Sequence, residues 1–281
     1  MQHAVAGPGC LLARSHRTEV YVWSERAVLK LPCPGWEHQV ALEEENTRAV
    51  QGTPLPVRRV VGRVRVDGRE GLLLERLDGP TVLQLLARRP LMLPRVARLL
   101  AQVHAEVHAQ VVPALRPLRG ELREYLHAAP LPGALRQTLL RYLERLAWDE
   151  CVCHGDFHPG NLFLTGRGVR VIDWLDAVHG PPLYDVATTV LTLRTGLAPD
   201  TRVPRWLVRA AQAALCGAYL RRYFALRPAG REHFALWQVL AGARMLAEDA
   251  PVDRARLTAA IRRAADEAAR QGTGVRRSDG I

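Results

Sequence analysis

Lysine is nearly missing from this chain. Of its 39 Lys and Arg residues, Lys30 is the only lysine, which leaves 38 arginines. Arginine is a broad planar fork and lysine a compact point charge, so the two are not interchangeable where a site is crowded. A chain that uses arginine wherever positive charge suffices has kept one ammonium in Ala27-Val28-Leu29-Lys30-Leu31, an apolar, strand-like run. Long hydrophobic stretches are also missing. None reaches the length of a membrane-crossing helix, so no membrane role is expected. Met1-Gln2-His3-Ala4 shows neither the basic region nor the apolar core of a secretory signal. The five cysteines (Cys10, Cys33, Cys151, Cys153, Cys216) are odd in number and scattered, with no CxxC. Cys151 and Cys153 read as small hydrophobes, and the expected compartment is a reducing cytoplasm.

Acidic charge is the scarcer sign, 28 Asp and Glu for a net charge of +11. That balance favours anionic ligands, nucleotides included. The arginines are spread along the chain without a dense tract, and neither zinc-finger spacing nor an RNP-like aromatic motif is present. A specific nucleic-acid partner is therefore not expected. With 281 residues, 48% of them hydrophobic, the chain can build one two-lobed unit or two small domains. There is no internal repeat.

The strongest pattern is His154-Gly155-Asp156-Phe157-His158-Pro159-Gly160-Asn161, followed by Val171-Ile172-Asp173-Trp174. Leu162-Phe163-Leu164 and Val169-Arg170-Val171-Ile172 predict two short strands, and Thr165-Gly166-Arg167-Gly168 is hairpin-turn chemistry. An antiparallel return sets strands about 4.8 Å apart, so Asn161 and Asp173 fall side by side at the open end. An amide carbonyl and a carboxylate are the hard donors Mg²⁺ takes. Asp156 is placed to accept a proton from a hydroxyl. His154, Asp156 and His158 also alternate, as zinc ligands on an extended segment would, so a metal-dependent hydrolase is a rival reading. His104 and His108 lie one helical turn apart and are read as structural or solvated in preference to metal ligands. His154 is expected to brace its loop, Trp174 to pack and Asp185 to be structural at a helix start.

HGDFHPGNLF followed by VIDWLDAVHGPPLYDVA closely resembles the aminoglycoside phosphotransferase and choline kinase family, relatives of the protein kinases. The resemblance runs over most of the chain. It implies an α+β, two-lobed protein kinase-like fold. A small antiparallel-sheet N-lobe with one helix would occupy residues 1–77, a larger α-helical C-lobe 78–271, and a disordered tail 272–281. It also implies a kinase that uses ATP and Mg²⁺ and transfers the γ-phosphate to a hydroxyl of a small-molecule acceptor. Nothing in the residues separates ATP from GTP. Lys30 matches the family lysine that contacts the α/β-phosphates and pairs with a helical glutamate. Glu43, Glu44 and Glu45 are the candidates, and the following Asn46-Thr47 favours Glu43. Asp156 matches the catalytic base, and Asn161 and Asp173 the metal ligands. Asp176 is expected to be a turn cap or, as the family resemblance implies, a second acidic residue near metal. In Leu74-Glu75-Arg76-Leu77-Asp78-Gly79, the Glu75 carbonyl and the Leu77 amide match the positions that bond adenine, with Leu74 facing the pocket. Relatives often place a glycine before Glu-Val-Tyr; here Ser15 stands at that position, ahead of Glu19-Val20-Tyr21.

Around these motifs, strands are expected from Leu11 to Leu31, at Val57–Val66 and at Arg69–Leu77, with a turn at Asp67-Gly68. Helices are expected at about Gln39–Val50, Thr81–Arg89, Pro94–Gln110, Leu118–Ala128, Gly133–Ala147, and over 183–195, 204–225, 231–248 and 253–271. Residues 182–281 carry nine Asp or Glu against sixteen Arg, which argues against a polycationic acceptor. No Ala-Pro-Glu segment follows Asp173, so protein substrates are not expected. A catalytically silent nucleotide-binding scaffold is the remaining alternative.

Overall fold

Alternating side chains in the first third of the chain build an antiparallel sheet. Its strands are β1 (Leu11–Arg14), β2 (Thr18–Val22), β3 (Ala27–Pro32), β4 (Val60–Val66) and β5 (Arg69–Glu75), in the order β1-β2-β3-β5-β4. The computed structural model describes residues 8–146, 148–196, 203–248, 250 and 252–271; the expected tail at 272–281 lies outside them. Every residue of β3 is buried. Because neighbours on a strand point to opposite faces, Val28 and Lys30 share one side, and Leu29 and Leu31 the other. Val28 packs with Leu72, Leu74 and Val40, the last from helix α1 (His38–Gln51). Leu29 and Leu31 pack with Val66 on the far side. Lys30 is thus carried on the face that α1 covers.

Helix α1 buries Val40, Glu43, Asn46, Thr47 and Val50, one face at helical spacing whose middle is polar. The β4–β5 turn falls at Asp67 and Gly68, with φ of 49° and 78°, the left-handed pair that a two-residue hairpin demands. Strand β4 begins at Val60, later than Val57. Val57 instead forms a parallel bridge to Val171.

The chain continues through α2 (Val82–Arg88), α3 (Leu93–Val107), β6 (Arg116–Pro117), α4 (Leu118–Ala128), α5 (Gly133–Arg145) and β7 (Cys151–Cys153). The hairpin β8 (Leu162–Thr165) and β9 (Gly168–Val171) follows, then β10 (Val178–Gly180), α6 (Pro182–Thr195), α7 (Arg205–Leu226), α8 (Phe234–Ala247) and α9 (Arg254–Arg270). These bounds lie within a few residues of the expected ones. Helix α8 starts later because Gly230, at φ 75°, and a 3-10 turn over Arg231–His233 precede it.

Two compact units result: Met1–Leu85 with Pro159–Asp176, and Leu86–His158 with Ala177–Ile281. In the first, the β8–β9 hairpin is stitched to the sheet side. Val171 N–H donates to the Pro56 carbonyl and Arg58 N–H to the Val171 carbonyl. Leu164 N–H donates to the Pro80 carbonyl at 2.9 Å. In the second, α6 and α8 are buried nearly all round and pack on each other, with α9 against both. Helix α3 packs on α7, and β10 lies between β6 and β7. Among the described residues no helix is long and apolar enough to cross a membrane.

Gly79 marks the closest approach in the first unit. Its φ is +125°, and a Cβ there would lie 2.0 Å from the Leu164 carbonyl oxygen. Gly79→Ala is expected to cost about 1–3 kcal/mol in strain alone. Gly62→Ala, where a Cβ meets nothing within 4 Å, is expected to stay within about 0.5 kcal/mol of wild type. Urea denaturation of both variants checks the contrast.

Candidate active site

Lys30 Nζ lies 2.7 Å from Glu43 Oε2 and 2.9 Å from Asp173 Oδ1. The ammonium therefore sits between a helix carboxylate and one that follows the hairpin. Burial works to lower the Lys30 pKa, and the Asp173 and Glu43 charges outweigh it, so the net shift is upward and the ammonium stays charged. The Glu43 carboxyl is raised, because burial, reinforced by Asp173, outweighs Lys30. Glu44 faces away and pairs with Arg48 and Arg63; Glu45 is exposed. Only one of the three adjacent glutamates reaches Lys30, because a helix turns successive side chains by about 100°.

Asp173 has φ 64°, a left-handed conformation rare outside glycine. Its neighbours hold it there. Ile172 N–H donates to the Asn161 carbonyl at 3.0 Å, closing the hairpin mouth. Asn46 Nδ2 donates to the Trp174 and Leu175 carbonyls at 3.1 and 2.9 Å. Trp174 is fully buried, as packing requires. Asn161 is buried, whereas Asp173 keeps 37% of its side chain exposed.

The remaining residues expected around the nucleotide lie in the same unit. Ser15 is exposed in the β1–β2 turn, where its Oγ accepts from the Arg17 and Thr18 N–H groups at 3.2 and 3.0 Å. The hydroxyl closes the turn that a glycine would otherwise form. Leu74 is in the core cluster under α1. The Glu75 carbonyl accepts from Arg58 Nε at 2.7 Å, and Leu77 is half-buried two residues on.

Asp156 belongs to the second unit. Its side chain is 40% exposed, with Oδ2 3.5 Å from His158 Nε2. Desolvation by the surrounding chain works to raise this carboxyl, but His158, His154 and Arg244 together hold it below its ordinary value. It is ionised at neutral pH. The loop that carries it is fixed from behind. Asp185, fully buried, accepts N–H groups of His154 and Gly155 at 2.5 and 3.0 Å. Arg244 Nη1 donates to the Gly155 carbonyl and to Tyr184 Oη, both at 2.9 Å. His154 Nδ1 accepts the Asp156 N–H at 3.2 Å, which is the bracing role expected of it.

His104 and His108 bring their Nε2 atoms to 3.1 and 3.3 Å from the same Asp185 oxygen. Their Nδ1 atoms lie 2.6 and 2.7 Å from the Tyr219 and Tyr223 hydroxyls. Each imidazole is satisfied as a neutral group, donating to Asp185 and accepting from a tyrosine. Among the described residues these two histidines and Asp185 form the one group of three with metal-ligand spacing. The alternating His154, Asp156 and His158 do not form such a group, since His154 is buried and spends a ring nitrogen on the backbone.

The match to the family model described as the phosphotransferase enzyme family covers residues 12–233. The chain belongs to that family. Among curated proteins nothing matches. Of the solved structures, an aminoglycoside-3'-phosphotransferase of type VIII aligns with TM-score 0.59 at 21% identity, covering 84% of this chain and 94% of that one. A choline/ethanolamine kinase family protein from Mesorhizobium loti aligns with TM-score 0.58 at 17% identity, covering 95% and 92%. A thermostable mutant of an aminoglycoside phosphotransferase, in ternary complex with ADP and hygromycin B, gives 0.60 at 18%, covering 97% and 94%. At these identities the likeness is one of fold, and the fold of this family member is kinase-like.

Within this phosphotransferase-family chain, three residues that no motif announced hold the candidate site in shape: Asn46, Arg58 and Arg244. Each acts on backbone remote in sequence. Asn46→Ala would remove the donor to both the Trp174 and the Leu175 carbonyl, and a loss of about 1–3 kcal/mol is expected in denaturant unfolding. Burial pushes His104 below the ordinary histidine value of 6.5, and His108 down to about 3. Both stay neutral in the fold and charge on unfolding. Stability present above 6.5 is therefore lost as pH falls below it, by up to about 1.4 kcal/mol per pH unit for each group. Thermal midpoints between pH 8 and 5 are expected to fall for wild type and to fall less steeply for His108→Gln.

Proposed function

We propose that this protein is a Mg²⁺-dependent small-molecule kinase, which transfers the γ-phosphate of a purine nucleoside triphosphate, ATP being the donor the family leads one to expect, to a hydroxyl of a small acceptor. The observation that carries this reading is the grip of the chain's only lysine between Glu43 and Asp173. A buried lysine held by two carboxylates is a fixed positive point for phosphate oxygens, and it needs no further charge to stay protonated.

The donor set fits the metal. Asn161 and Asp173 offer an amide oxygen and a carboxylate at one hairpin mouth, with no thiolate or imidazole among them, and oxygen donors of this kind suit Mg²⁺. When bound, Mg²⁺ neutralises charge on the β- and γ-phosphates. Lys30 would contribute positive charge to the same phosphates, and Glu43 would hold Lys30 in place. The Glu75 carbonyl and Leu77 amide would meet the base, with Leu74 and Ser15 bordering the nucleotide. Asp156, ionised and partly exposed, would orient the acceptor hydroxyl and take its proton late, since a loose transition state asks little activation of the nucleophile. His154, Asp185 and Arg244 would keep Asp156 at its station.

A hydroxylated acceptor that is neutral or anionic suits the arginine-rich 182–281 region better than a polycation. The cysteines of the structure are free thiols, which accords with work in a reducing cytoplasm. The test is nucleotide consumption against a panel of hydroxylated metabolites and antibiotics, offering ATP and GTP each with Mg²⁺. Asp156→Asn is expected to lower kcat by about 10²–10⁴-fold on whichever acceptor turns over. Turnover by that variant at the wild-type rate, or activity requiring Zn²⁺ and no nucleotide, would sink the reading.

A further inference from the structure

Arg58 is a cation with a fixed station and no part in the chemistry described so far. Its N–H donates to the Val171 carbonyl at 3.1 Å, and its own carbonyl accepts from Gln51 Nε2 at 2.9 Å. Its Nε donates to the Glu75 carbonyl at 2.7 Å. The neighbouring Arg59 closes the arrangement, accepting from the Glu75 N–H at 2.8 Å and donating to the Glu75 carboxylate at 3.3 Å. Burial pushes the Arg58 guanidinium down to about 10, against the pull of Glu43, Asp173 and Glu75. Among the described residues, its terminal nitrogens Nη1 and Nη2 make no hydrogen bond or ion pair. A half-buried guanidinium held in place through Nε, with two donor groups that no protein atom takes, is ready to receive a ligand acceptor.

Those donors lie at the residue which the proposed function gives to the nucleobase, and the inference rests on that function. A bare Glu75 carbonyl would select a base that donates, as the 6-amino group of adenine does. Here Arg58 already occupies one lone pair of the carbonyl, and an amino group arriving at the other meets the donors of the guanidinium. A purine with an oxo group at position 6 presents acceptors instead, O6 and N7, which the arginine fork bonds in pairs. We propose that Arg58 is the base-specificity residue of this protein, turning the Glu75 edge from acceptor to donor, so that 6-oxo purine triphosphates (guanosine or inosine) are bound in preference to ATP.

Isothermal titration calorimetry of the intact protein with the Mg²⁺ salts of GTP, ITP and ATP tests this without any acceptor. GTP and ITP are expected to bind about 10-fold or more tightly than ATP, the discrimination that one good arginine–purine pair gives. Arg58→Met keeps the apolar stem but removes the donors; it is expected to lose the preference by weakening GTP and ITP. Wild-type affinity for ATP equal to or above that for GTP and ITP would overturn the proposal, as would an unchanged ratio in Arg58→Met. Should that variant not fold, wild type can be titrated with GTP and with the triphosphate of 2,6-diaminopurine riboside, which share the 2-amino group and so isolate position 6. Tighter binding of the diaminopurine compound would overturn the assignment. Binding of none of these nucleotides would instead bring down the kinase reading itself, and this inference with it.

Discussion

An ammonium removed from water is tolerated only when charge of the opposite sign comes with it. Lys30 meets that condition twice, with Glu43 on α1 and Asp173 after β9. Removing one partner of a buried pair costs about 3–5 kcal/mol, because the other charge is left without compensation. The contact therefore dictates geometry over a wide area. It requires β3 to present its even-numbered face to α1, α1 to bury a polar stripe, and the residue after Ile172 to turn into a left-handed conformation. Hydrophobic packing under α1, through Val28, Val40, Leu72 and Leu74, supplies the adhesion; the three charges supply the register.

The second unit depends on a buried carboxylate that is met by hydrogen-bond donors in place of an opposite charge. Asp185 collects two backbone N–H groups and two imidazoles. Its own charge is held far below the usual carboxylate range: burial opposes this, and the two histidines outweigh it. Helix α6, which carries it, is buried on nearly all sides, so the anion has no route to solvent and must be satisfied by the loop of Asp156. A loop with few apolar side chains is thereby given the rigidity of the core beneath it.

Much of this was legible in the sequence, where local rules suffice. The hairpin after Asn161 is encoded in two short apolar runs and a glycine turn, so Asn161 and Asp173 could be set at its mouth from spacing alone. The bounds of α4, Leu118–Ala128, follow from Pro117 before it and the Ala129-Pro130 break after it. Lys30 stood out because it has no competitors. Other features left no local trace. Asn46 is one polar residue in a polar stretch of helix, and only its 128-residue reach to Trp174 distinguishes it. Arg244 and Arg58 are two arginines among 38. Helices such as α6 and α8 are buried all round, which erases the one-sided periodicity that would mark an inward face. What escaped was the long-range pairing of polar side chains with distant backbone, and no single-segment pattern records that.

The scarcity of lysine has a practical side as well. Acylating and alkylating reagents that seek amines attack the neutral form, and they will find one ε-amino group in the entire chain. That group is protonated and shielded, so its labelling rate reports directly on whatever loosens, covers or displaces its two acidic neighbours. The molecule thus carries a built-in chemical probe at the very position where its charge is concentrated.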